Sequence, residues 1–116
     1  MHFKAIIAIV ADEFTKPCMK AARQAGATGA TVVSQARGEG VDRTKSFFGL
    51  ALESQRDFLL FVVEEHLARD VLEAVSEAGE FETRHGAGIA IQIDVEDAVG
   101  LKHQIETLSD RVEEQL

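Results

Sequence analysis

The chain writes one small pattern twice: an apolar strand, a helix that stops at glycine, and a second strand. The first copy runs Phe3–Val10, Lys16–Ala25, Gly26 and Ala30–Gln35; the second runs Phe58–Val63, Leu67–Ala78, Gly79 and Ile89–Ile93. Few architectures accommodate that repeat. Right-handed crossovers place the first and third strands in the middle of one sheet. Those two, Phe3-Lys-Ala-Ile-Ile-Ala-Ile-Val10 and Phe58-Leu-Leu-Phe-Val-Val63, are also the most continuously apolar, as strands buried on both faces must be. Pattern and topology agree on an α+β, βαββαβ sandwich.

Local signals support the elements. Thr15 can cap the first helix, with Pro17 in its first turn. Cys18, Ala21, Ala22 and Ala25 recur at helical spacing and make a narrow stripe that lets this helix lie close to the sheet. Gly26 suits the left-handed residue past its end. Leu67, Val71, Ala74, Val75 and Ala78 form the stripe of the second helix. Ile89, Ile91 and Ile93 alternate with Ala90 and Gln92, which predicts a half-buried fourth strand. Two segments fall outside this plan. Gly38–Gln55 is a long connection, and connections of that length usually carry function. Leu101, Ile105, Leu108, Val112 and Leu116 keep a helical period, predicting an added C-terminal helix over about 103–115.

Bulk properties narrow the function. The 116 residues are 46% hydrophobic, enough for one domain over 1–116 with a small core, and domains of this size often gain stability by assembling. A net charge of −8 disfavours the phosphate backbone of nucleic acid and anionic membrane surfaces. Trp and Tyr are absent, so no nucleic-acid partner is expected. The apolar run after Met1 is too short for a membrane span, and no signal peptide is read. The single cysteine, Cys18, fits a reducing cytoplasm and a core position. His2, His66, His85 and His103 show no ligand spacing, so no metal site is expected. No nucleophile–base pair stands out, which points away from an enzyme. Glu64-Glu65 and Glu113-Glu114 read as solvated faces.

The remaining candidates lie at turns. Gly86-Ala-Gly88 fits an ordinary turn before a strand, or a nest of N–H groups aimed at an anion. Arg84 and His85 flank it and could add positive charge. In the long connection, Arg43 and Lys45 make a basic spot on an acidic chain. Phe47 and Phe48 are adjacent, so on extended backbone they face opposite ways: one can cover the sheet while the other anchors a partner.

In their order and spacing, Ala25-Gly-Ala-Thr-Gly-Ala-Thr-Val-Val33, Arg37-Gly-Glu-Gly40, Gly86-Ala-Gly88-Ile and Asp94-Val-Glu-Asp-Ala-Val99 resemble the PII-like signal-transduction proteins of the nitrogen regulatory protein PII superfamily. The match covers roughly residues 4–102. The family's pattern is a Thr-Gly-x-Thr strand start, a Gly-x-Gly opening of the T-loop, and a Gly-Asp-Gly-Lys B-loop. The resemblance implies a ferredoxin-like homotrimer that holds an adenine nucleotide in clefts between subunits. It further implies a T-loop, here about 38–55, that docks on a target protein such as a membrane transporter, a channel or a metabolic enzyme. By position, Thr31 would lie near the base, and Gly38, Glu39 and Gly40 would form the T-loop side of the cleft. Gly86, Ala87 and Gly88 would offer N–H groups to phosphates, with Arg84 and His85 beside them. Lys102 would be one of two C-terminal basic positions, and Arg43, Lys45, Phe47 and Phe48 would meet the partner.

The chain also departs from that pattern. Ala87 and Ile89 replace the B-loop acid and lysine, Gly100 replaces the other basic position, and the T-loop is shorter and has no tyrosine. ADP, AMP, ATP, a cyclic nucleotide or another small anion stay open as effectors. A fold-alike interaction module that has lost nucleotide binding stays open as the alternative.

Overall fold

The computed structural model describes residues 2–34, 46–47, 50–51 and 56–100, with backbone alone at 46–47 and 50–51. Strand β1 spans Phe3–Ala11, a single 3-10 turn follows at Asp12–Phe14, and helix α1 spans Thr15–Gln24. Then come β2 (Thr31–Val33), β3 (Ser46–Phe47), β4 (Leu50–Ala51), β5 (Arg56–Glu64), α2 (Glu65–Ala78) and β6 (Gly88–Asp94). The main sheet has four strands in the order β2-β5-β1-β6, every pair antiparallel. The two most apolar strands are central, as the sequence predicts, and the architecture is the expected ferredoxin-like α+β one. Within the long connection, β3 and β4 pair as a minimal hairpin, Ser46 opposite Ala51 and Phe47 opposite Leu50. The second strand is shorter than predicted, three residues against Ala30–Gln35. The predicted helix over about 103–115 lies outside the described residues, as do Gly38, Glu39, Gly40, Arg43, Lys45, Phe48 and Lys102.

Strand register sorts side chains onto two faces, because successive residues point to opposite sides. Ile6, Ala8 and Val10 of β1 share a face with Leu59, Phe61 and Val63 of β5. Against them pack Cys18 and Ala22 of α1 and Ala68, Val71 and Val75 of α2, all nearly or fully buried. This is the core. The small stripe on α1 does what its residue sizes predict: the Cys18 Sγ comes within 3.6 Å of the Val75 carbonyl oxygen, so the two helices are in intimate contact.

The other face has no helix on it among the described residues. There Ile7 pairs with Leu60 and with Ile91, Ile9 with Phe58 and with Ile89, and Ala5 with Val62 and with Ile93. Leu60 is 40% exposed, Ile91 39% and Ile93 46%. The alternation in the fourth strand is real, but its isoleucines face away from the helices and only Ala90 packs on the core. Periodicity shows that a strand has two unlike sides. It does not say which side meets the helices.

Helix ends depart from expectation in instructive ways. Thr15 is the first residue of α1, preceded by Phe14 as a cap with no side-chain bond. Its hydroxyl instead donates to the buried Asp57 Oδ2 at 2.5 Å. Gly26 does adopt a positive φ, 121°. At the end of α2, however, the positive φ falls on Glu80, while Gly79 is right-handed. Glu64 is not a solvated residue: it is buried and caps α2, its carboxylate accepting from the His66 N–H at 2.9 Å and pairing with the His66 ring. Lys4 and Asp94 form a cross-strand ion pair at the far end of β6, and their hydrogen bond raises the lysine pKa and lowers that of the aspartate.

Burial pushes the Cys18 thiol up from 9.0 to about 11. The unfolded thiol therefore ionises first, and the folded state loses this contribution as pH climbs from about 9 to about 11. Urea denaturation across that window should show a fall in stability that Cys18→Ala flattens.

Candidate functional site at the end of the sheet

The glycine turn before β6 lies at the end of the sheet where β1 finishes and β5 begins, and a residue the sequence reading missed holds it there. Arg56, the first residue of β5, is 6% exposed. Its Nη1 donates to the Ala87 carbonyl at 2.9 Å and its Nη2 to the Gly86 carbonyl at 2.8 Å. Two consecutive carbonyls thus meet one planar fork of donors, a match that a lysine could not make. The Arg56 Nε–H is buried without an acceptor, a burden of about 1–3 kcal/mol. The paired carbonyl bonds are what keep the guanidinium in place. The signal for Arg56 was weak in sequence: a charged pair, Arg56-Asp57, opening the most apolar strand.

The turn closes on itself as well. The Ala87 N–H donates to the Arg84 carbonyl at 3.2 Å and the Arg84 N–H to the Glu80 carbonyl at 3.0 Å. Gly86 has a φ of 73° with open space where a Cβ would go, so its glycine answers to the backbone alone. Gly88 answers to packing. A Cβ there would lie 2.4 Å from the Phe81 ring and 2.7 Å from the Ile9 carbonyl oxygen. A Cβ at Gly79 would meet the same ring at 2.3 Å. Phe81 is therefore slotted between two glycines, joining the end of α2 to the start of β6.

The strand ladder fixes where the Gly88 N–H points. The Val95 N–H donates to the Phe3 carbonyl at 3.2 Å, so Phe3 and Val95 are a hydrogen-bonded pair. Alternation along an antiparallel ladder then makes Val10 and Gly88 a non-bonded pair. The Gly88 N–H faces the free edge of β6 rather than β1.

Arg84 and His85 are exposed beside the turn. The Arg84 guanidinium stacks over the Phe14 ring, 5.1 Å from its centroid, and approaches Glu80 at 3.8 Å. Thr31, exposed on β2, is on the opposite edge of the sheet from the turn. Three strand spacings, about 14 Å, separate them, so one chain does not bring Thr31 and the turn onto the same phosphate. Phe47 is placed on β3 by its backbone.

A groove of about 520 Å³ runs along the β6 edge, lined by Leu72 and Phe81 and by Glu73, Glu77, Glu80 and Glu82, with Arg69 the only basic residue lining it among the described residues. Gly88 lines the groove too, so these four carboxylates oppose a phosphate that approaches Gly88 from this side. The groove's size does not make it the anion site. No group of three or more potential metal ligands occurs among the described residues, and none of their helices is long and apolar enough to cross a membrane.

The family model for nitrogen regulatory protein P-II matches residues 3–104. The chain belongs to the P-II family. Among solved structures, CPII of Thiomonas intermedia K12, bound to ADP, AMP and acetate, superposes with a TM-score of 0.64 at 19% identity, over 87% of this chain and 93% of that one. A PII-like signalling protein of Thermus thermophilus gives 0.60 at 25% identity, over 82% and 87%. A second CPII structure, bound to ADP, AMP and bicarbonate, gives 0.59 at 20%, over 82% and 89%. No relative among curated proteins matches.

Because Gly88 is required by Phe81 and Ile9, Gly88→Val should destabilise the fold with no ligand present, by about 1–3 kcal/mol. Chemical denaturation of the ligand-free variant checks this.

Proposed function

We propose that this P-II family member is a regulatory protein that senses an adenine nucleotide at the turn Arg84–Gly88. The observation that carries the reading is that turn: a glycine-containing loop gripped from behind by Arg56, with a free Gly88 N–H edge and exposed Arg84 and His85. The presence of ADP and AMP on CPII supports an adenine nucleotide as the anion. Phosphate oxygens suit both a backbone N–H and a guanidinium, whose charge-assisted bonds are the stronger kind.

The sensor works as a homotrimer. The face built from Ile7, Ile9, Leu60, Ile89, Ile91 and Ile93 is an apolar sheet surface with no described helix on it, and contiguous patches of that kind mark interfaces. Symmetric closure would cover it and would also bring Thr31 of one copy toward the turn of another. Gly38, Glu39, Gly40 and Lys102 complete the nucleotide cleft in this reading. Arg43, Lys45, Phe47 and Phe48 on the T-loop meet a target protein, such as a transporter or channel. Nucleotide binding controls that contact by favouring one loop state over another. A second reading, an interaction module that binds no nucleotide, draws support from the Ala87 N–H being used within the turn and from Ile89 at the family's lysine position.

A thermal-shift panel separates the two. ADP or AMP should raise the melting temperature selectively against ATP, cyclic nucleotides, bicarbonate and 2-oxoglutarate, with and without magnesium, because a ligand of the folded state stabilises it. A flat panel favours the interaction module. Arg84→Ala should weaken the nucleotide about tenfold or more by calorimetric titration, the worth of one charge-assisted bond. Ile91→Lys should convert the trimer to monomer by light scattering; an unchanged trimer mass would remove the sheet face as the interface.

A further inference from the structure

We infer that Arg56 is the positioning residue of the nucleotide turn, shaping it from behind without itself touching the ligand. The inference rests on the nucleotide reading above and assigns the residue on which that site depends. All described peptides are trans, so each carbonyl directed at Arg56 turns the next N–H the opposite way. The Gly86 carbonyl on Nη2 turns the Ala87 N–H back into the turn, where it meets the Arg84 carbonyl. The Ala87 carbonyl on Nη1 turns the Gly88 N–H away from Arg56. The β1–β6 ladder independently aims that same N–H at the free strand edge. Two separate constraints thus agree on one donor direction. Arg56 is the side chain that grips both carbonyls: Gly86 has no side chain and a left-handed backbone with open space around it, so without the grip only the Ala87 N–H bond to the Arg84 carbonyl and the strand ladder still restrain the turn. Arg56 also roots the turn in β5, a central strand of the sheet, rather than in the edge strand that follows it.

The test uses Arg56→Met, which keeps the stem and removes the fork, and Arg56→Lys, which keeps the charge but not two parallel donors. Amide hydrogen exchange over 84–88 and calorimetric titration with ADP and AMP are read on both, beside circular dichroism for folding. In Arg56→Met, exchange at Ala87, whose N–H is bonded within the turn, should rise roughly tenfold and nucleotide affinity should fall in step. Arg56→Lys should recover melting temperature while leaving the turn in fast exchange and the affinity low, which a purely structural role would not produce. Wild-type exchange in Arg56→Met overturns the grip. Loosened exchange with unchanged affinity overturns the positioning role. Should Arg56→Met fail to fold, the wild-type protein decides the grip: its Arg56 Nη protons should give resolved, slowly exchanging nuclear magnetic resonance signals, and their absence overturns it. A wild-type protein that binds neither nucleotide refutes the function proposed above, whereas the exchange data judge the grip on their own.

Discussion

Everything in this fold follows from β1 being apolar on both of its faces. Ile6, Ala8 and Val10 demand cover on one side, and α1 and α2 supply it through Cys18, Ala22, Val71 and Val75. Ala5, Ile7 and Ile9 demand cover on the other side, and neighbouring side chains on β5 and β6 give it only in part. The described chain has two helices and spends both on one face. Among the described residues that second face stays partly exposed, and contiguous apolar patches of that kind mark interaction surfaces.

That asymmetry also organises the candidate site. The turn before β6 lies on the free edge of the sheet, and an edge strand is its least restrained part. The chain answers with two anchors that come from elsewhere in the sequence. Arg56 reaches across from β5, and Phe81 wedges between the end of α2 and Gly88. One anchor is polar and acts on carbonyl direction; the other is apolar and acts on backbone distance. Both leave the solvent side of the turn unobstructed for Arg84 and His85.

The fold was largely legible in the sequence, because periodicity and glycine placement report directly on backbone state. The repeat gave both central strands, both helices and the left-handed Gly26. Face assignment was not legible: Ile89, Ile91 and Ile93 alternate correctly whichever side the helices occupy. The candidate site was legible in the sequence only as a glycine turn. The turn was found from its glycines, yet the reasons for them differ, backbone conformation at Gly86 and clearance for an aromatic ring at Gly79 and Gly88. Arg56 and the capping Glu64 were passed over because charged residues at strand ends usually face solvent. The burial of Arg56 goes with partners far away in the chain, the carbonyls of Gly86 and Ala87, and a window of sequence around it does not contain that information. Glu64 has its capping partner nearby, at His66, but its place opposite Phe3 in the sheet is set by strand register.

The ring of Phe81 carries a consequence for how sequences of this kind can drift. Two glycines nine positions apart, one ending a helix and one starting a strand, are both fixed by a single aromatic side chain. The three positions are therefore linked in inheritance. A descendant that acquires a side chain at residue 79 must first shrink residue 81, and one that shrinks residue 81 opens a void beside the turn. Residue 88 is held twice over, because the Ile9 carbonyl oxygen would still stand 2.7 Å from a Cβ there after the aromatic was lost.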